Sequence, residues 1–215
     1  NKNHGLRWVG DTEFFEWCAR AGIEIDQSKG PSKTGAAGFN FGTCHPYLPV
    51  APDGRLLDVL ELPTLTQDLI VFAPETLAPA LQEATTRHHG ILHLLFHPAH
   101  IHRPEVASAL RGAITRAQEA GLEWWTARQI NQWERARRAI EWGDYTEDGA
   151  GATVRLRATK PLLDATVLWL APEARSASVN GQRHTLQPVE RWGFTFLSVP
   201  VDVREAGDYA LRLGD

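Results

Sequence analysis

The stretch GILHLLFHPAHIHRPEVASALRGAITRAQEAGLEWWTARQINQW, residues 90–133, decides how the first two-thirds of the chain is read. Ile91–Phe96 is an apolar run of strand length, entered through Gly90 and left through His97-Pro98. Pro104 suits the first turn of a helix on which Val106, Leu110, Ala113, Ile114 and Ala117 share one face, and Gly121 closes it. Leu122–Trp125 reads as another short strand. Thr126, with Gln129 three residues later, makes a capping box that opens a helix with Ile130, Trp133 and Ile140 inward. Strand and helix alternating in this way predict a parallel sheet or barrel covered by helices.

Upstream, Asp11 or Thr12 caps a helix carrying Phe14, Phe15, Trp17, Cys18 and Ala21 on one side, and Gly22 stops it. Ile23–Ile25 reads as a buried strand ending at Asp26. A loop rich in Gly, Ser and Pro runs from Gln27 to about Arg55. Leu56–Leu62 is a second strand, with Glu61 and Pro63 near its end. Pro74–Thr86 is helical in pattern, although Pro79 disfavours a regular helix beyond the first turn. Downstream of Glu141 the period becomes two: Val154, Leu156 and Ala158 alternate with Thr153, Arg155 and Arg157. Thr166–Leu170, Phe194–Val199 and Tyr209–Leu213 add strands, and Asn180-Gly181 is a hairpin signal. The expected fold is α/β over residues 1–140, followed by a small antiparallel β-sandwich over 141–215.

Composition excludes several classes. The 215 residues carry a formal charge of −4, so no basic surplus attracts nucleic acid or anionic lipid. With 43% apolar and 22% charged residues the chain reads as globular. No apolar run approaches a membrane span. Cys18 and Cys44 are too few for a disulfide scaffold or a four-thiolate zinc site, and they leave the compartment open. The chain has no methionine and is read as part of something longer, while Asn1–Gly10 lacks the pattern of a signal peptide.

Ligands of parallel α/β folds sit at the carboxyl ends of the strands, which here offer Asp26, Glu61, His97 and Thr126. A carboxylate and an imidazole there can transfer protons or bind a metal. For Asp26 a turn-capping role competes equally with a functional one, and for Glu61 capping is the favoured reading. His97 ends the clearest strand and is followed by His100 and His102, beside His88, His89 and His93. No carboxylate is in register to complete a metal set with these three. Ser28 and Ser32 lack a nucleophile elbow, and Gly35, Gly38 and Gly42 lack the setting of a phosphate loop. Cys44-His45 lies in a loop. Of the Trp residues, Trp17 and Trp133 read as core and Trp8 as the best ligand face; Trp169 and Trp192 are assigned to packing.

The segments NHGLRW (Asn3–Trp8), AGIEIDQS (Ala21–Ser28), FGTCHPY (Phe41–Tyr47), LELP (Leu60–Pro63) and HLLFHPAHI (His93–Ile101) resemble, in order and spacing, the second half of polysaccharide deacetylase (NodB-homology) domains. WWTARQINQWERARR (Trp124–Arg138) resembles the last strand and helix of such domains. The resemblance implies the C-terminal half of a distorted (β/α) barrel that hydrolyses N- or O-acetyl groups of carbohydrate, using a divalent metal, usually zinc, and a catalytic Asp. His97 matches the late-strand His that acts as acid or oxyanion partner. Asn3-His4 and Trp8 match a substrate-lining segment that follows an Arg, where this chain has Lys2. Asp26, Glu61 and His100 are carried as substrate-binding or supporting residues together with His4 and Trp8.

In the family the Asp-Asp motif and the His-x-x-x-His pair lie upstream, in strands that this chain is expected not to contain. The metal ligands and base are therefore expected in an N-terminal half, the partner of this chain, with His97, His100 and His102 as the fallback ligand set. The substrate class points to the cell envelope or exterior, on that inference alone. The alternatives are a non-catalytic carbohydrate-binding protein, and a hydrolase of another carbon–nitrogen bond on the same barrel.

Overall fold

The computed structural model describes residues 1–31, 38–39, 41–68, 74–149, 151–170, 174 and 176–214. Ser32 and Gly35 lie outside the described residues. Among the described residues the fold is mixed α/β, with four helices and two antiparallel sheets, and no sheet closes into a barrel. The chain divides into two compact units, Asn1–Asn131 and Gln132–Asp215.

In the first unit, α1 (Glu13–Arg20) buries Phe14, Phe15 and Cys18 against Leu57 and Val59. Trp17 is 49% exposed rather than core, because the buried stripe is carried by the other three positions. Two short parallel pairs follow: β1 (Ile25–Asp26) with β2 (Leu60–Glu61), and β3 (Thr66–Gln67) with β4 (Leu94–Leu95). The expected strands at Leu56–Leu62 and Ile91–Phe96 are thus only two residues of ladder each. Part of the former is spent on antiparallel bridges, Val50 to Leu56 and Tyr47 to Glu61.

Helix α2 (Pro74–Arg87) runs through Pro79, which forfeits one N–H near the helix start without ending it. Helix α3 (Pro104–Glu119) buries Val106, Ala113 and Ala117, as its spacing requires. It ends in a Schellman closure: Gly121 N–H donates to Gln118 O and Leu122 N–H to Ala117 O. That closure uses the first amide of the expected Leu122–Trp125 strand, which does not form; Trp124 and Trp125 are 64% and 39% exposed. The Thr126–Gln129 capping box is present, with Gln129 Oε1 accepting from Thr126 N and Thr126 Oγ1 from Gln129 N, and opens α4 (Ala127–Arg138).

Among its described residues the second unit contains eight strands. β5 (Glu141–Asp148), β6 (Gly151–Ala158), β12 (Gly207–Gly214), β8 (Ser176–Val179) and β9 (Gln182–His184) form one sheet in that order. β10 (Gln187–Arg191), β11 (Phe194–Val203) and β7 (Leu162–Trp169) form the other. Leu156, Val179, Leu211 and Leu213 of the first sheet and Val199, Val201 and Val203 of the second share one buried cluster. Asn180 and Gly181, at φ +50° and +81°, turn the β8–β9 hairpin as expected. Trp169 packs at this core's edge, whereas Trp192 is 74% exposed and meets only the edge of Phe196, 5.8 Å between ring centroids, among the described residues. No helix among the described residues is long and apolar enough to cross a membrane.

Candidate functional site

Asp68 follows β3 directly and His97 stands two residues past β4, so a parallel pair delivers both to its carboxyl end. Asp68 N–H donates to Leu95 O at 2.7 Å, which locks the carboxylate beside the neighbouring strand. Asp68 is only 3% exposed and sits at φ +54°, a left-handed conformation that Asp tolerates better than most residues. Its Oδ1 accepts the His97 backbone N–H at 2.7 Å, and its Oδ2 accepts His97 Nδ1–H at 2.8 Å and His100 Nδ1–H at 2.6 Å. Burial alone pushes this carboxyl upward. The His97 N–H and the two imidazoles outweigh it and hold Asp68 below the ordinary carboxylate value.

The turn Pro98–His100 explains how two histidines reach one carboxylate. Pro98 starts a 3₁₀ turn with His97 at its cap, and His100 N–H donates back to His97 O at 2.9 Å. The rings lie 4.8 Å apart, with side chains 37% and 35% exposed. With each Nδ1 engaged by Asp68, each Nε2 is left for chemistry. His102 is exposed and outside the cluster. Of the fallback trio, His97 and His100 converge instead with Asp68, their possible ligand atoms lying within 4.8 Å of one another. A carboxylate does complete the set, contrary to the sequence reading, because a strand end distant in sequence supplies it.

The other parallel pair ends in a sealed site. Asp26 and Glu61 face each other in register, both fully buried. Asp26 accepts Asn1 Nδ2 at 2.6 Å, Ser28 N–H at 2.7 Å and Ser28 Oγ at 3.0 Å. Glu61 Oε1 accepts Lys29 N–H at 3.0 Å, while Oε2 accepts nothing. Burial, then the hydrogen bond and charge of Asp26, push Glu61 up to about 10 against the pull of Lys29. Glu61 is therefore protonated at neutral pH.

Beside this pair, His93 Nδ1–H donates to Pro63 O, which leaves Nε2 to accept from Lys2 Nζ at 3.1 Å. Burial and the Lys2 charge lower His93 to about 4, and burial lowers Lys2 to about 8 against Glu61 and Asp26. Lys29 stands next to this network, with its ammonium 4.5 Å from the Trp8 ring centroid, 5.2 Å from those of Phe15 and Phe41, and 5.9 Å from that of Tyr47. Trp8 thus presents a ring face already taken by Lys29.

Of the residues singled out in the sequence, His97 and His100 come together, and Asp26 and Glu61 come together. His4 is exposed and joins neither group. Cys18 and Cys44 are free and buried, with thiols raised by burial, and His45 is exposed. Asp68, Lys2 and Lys29 were missed. The only sequence signal for Asp68 was its place after the apolar Leu62–Leu65 segment, where no strand had been expected. No family model and no curated protein matches this sequence.

Proposed function

We propose that this chain is the C-terminal part of a metal-dependent carbohydrate deacetylase, its first unit half of a distorted (β/α) barrel and its second an accessory β-sandwich. One observation carries the reading: a half-exposed imidazole, His97, hydrogen-bonded through Nδ1 to an ionised, buried carboxylate at a strand's carboxyl end. Asp68 fixes the ring through Nδ1, so the proton His97 delivers is the one on Nε2. As the tetrahedral adduct of an acetyl group collapses, that proton goes to the departing amine or alcohol, and neutral His97 remains. His100 shares the same carboxylate oxygen and is placed to support the charge. The metal, with ligands expected outside this chain, supplies Lewis acidity towards the acetyl carbonyl and its attacking water. Acetate release from an N-acetylated oligosaccharide by the complete protein is the test. His97→Ala should lower it about 10²–10⁴-fold without changing the melting temperature. Retained activity, or loss of the fold, overturns the assignment.

A second reading is favoured by the donor set itself. One carboxylate and two imidazoles within 4.8 Å fit a divalent transition metal. On this reading Asp68, His97 and His100 hold the ion, and His97 is a ligand rather than the acid. Zinc titration of the chain after chelation separates the two readings. One tightly bound equivalent that Asp68→Asn removes favours the metal centre; no stoichiometric binding favours the acid.

A further inference from the structure

We propose that the cleft between α2 and α3 binds a small carboxylate carried on an apolar chain, with Arg116 as its anchor. The cleft has a volume of about 400 Å³ and is lined by Pro79, Gln82, Glu83, Thr86 and Arg87 of α2 and by Arg116 of α3. The five α2 positions recur three and four residues apart and so form one stripe of that helix. The surface they turn to the cleft is mostly hydrocarbon, as the stems of long polar side chains supply. Gln82 ties the two helices together: it is 9% exposed, and its Nε2 donates to Arg116 O at 2.9 Å.

The charge in this cleft is unbalanced. Glu83 is the one carboxylate among the lining residues, and it is spent on Arg87, whose Nη2 donates to Glu83 Oε1 at 2.6 Å. The Arg116 guanidinium makes no hydrogen bond or ion pair with any described residue, although Glu119 follows it at the helical spacing that suits one. Its Nε is buried without an acceptor. A guanidinium only donates, so this orphan calls for an oxygen, and leaving such a donor unmatched is costly. The backbone makes room for the group: Arg116 leans back over Gly112, where a Cβ would stand 3.1 Å from Nη1. A carboxylate matches the guanidinium fork with two parallel hydrogen bonds. Two guanidiniums and one carboxylate leave a single positive charge, which a monoanion balances. Hydrocarbon walls add nothing for a bare inorganic ion but take an apolar chain out of water, so the ligand is an amphiphile.

None of the six lining residues belongs to the Asp68 cluster, so this site stands or falls apart from the deacetylase reading. Isothermal titration of the chain with octanoate tests it, beside acetate, which lacks the chain, and octanol, which lacks the charge. Octanoate should bind saturably, and acetate and octanol each more weakly by about tenfold or more. Arg116→Gln should weaken octanoate by about tenfold or more, with circular dichroism and melting verifying the fold. If that variant does not fold, Arg116→Lys takes its place: it keeps a cation but removes Nε and the fork, and should weaken octanoate in the same direction. No saturable binding of octanoate overturns the proposal. So does octanol or acetate binding as tightly as octanoate, or octanoate binding that the folded variant retains.

Discussion

Two parallel strand pairs in the first unit each end in a carboxylate next to a basic group, yet they produce opposite chemistry. At the end of β1 and β2, Asp26 and Glu61 are fully buried, and their partners Asn1, Ser28 and Lys29 close over them. At the end of β3 and β4, Asp68 is equally buried, but the imidazoles it holds are about one-third exposed. One arrangement hides its proton and the other presents it. A strand's carboxyl end is therefore a place where charge can be held, and what covers that charge decides between architecture and chemistry.

The sharpest way to break this contrast is Asp26→Ala. It strands three donors and a buried network, and should cost about 3–5 kcal/mol in denaturant unfolding. A loss below about 1 kcal/mol would mean that the sealed site is not structural. His97→Ala should instead leave stability within about 0.5 kcal/mol while removing the activity as stated above.

The pH dependence of folding should carry both signatures. Between 4.5 and about 10 the folded state keeps a proton on Glu61 that the unfolded state has released, so stability declines as pH rises through that window. Between 6.5 and about 4 the unfolded state takes up a proton that buried His93 refuses, so stability declines as pH falls. Asp68, held low, adds to the acid-side loss. Glu61→Gln keeps a neutral side chain of the same size without the titration. It should flatten the alkaline limb and stabilise the chain at pH 8 by about 1.4 kcal/mol or more, one pKa unit's worth. An unchanged alkaline limb would falsify the raised Glu61. The smallest effect belongs to His102→Ala, expected to alter neither unfolding nor zinc binding, since His102 stands outside the cluster.

Local signals were legible wherever they depended on neighbours in sequence. The α3 face, the Thr126 capping box and the Asn180-Gly181 hairpin all follow from periodicity or turn chemistry over a few residues. Leu122–Trp125 failed for a local reason that propensity does not weigh: the helix closure at Gly121 had first claim on the Leu122 amide. His97 and His100 stood out as part of a run of histidines after the clearest strand, while the 3₁₀ turn that brings them together was not expected. Asp68 did not, because its pairing with His97 is a contact over 29 positions that only the β3–β4 register creates. The protonation of Glu61 was likewise out of reach, since it depends on a cross-strand neighbour and on complete burial.

The two free cysteines add an experimental handle. Cys18 packs with Phe15 and Leu57, whereas Cys44 packs with Leu65 and Leu81. Burial raises both thiols and conceals them, so a thiol reagent reacts only when a cluster opens. Trapping kinetics, resolved by peptide mass, would thus act as two independent clocks within one unit. One times the opening of the core beneath α1, and the other times the core beside β4, where the histidine pair is carried.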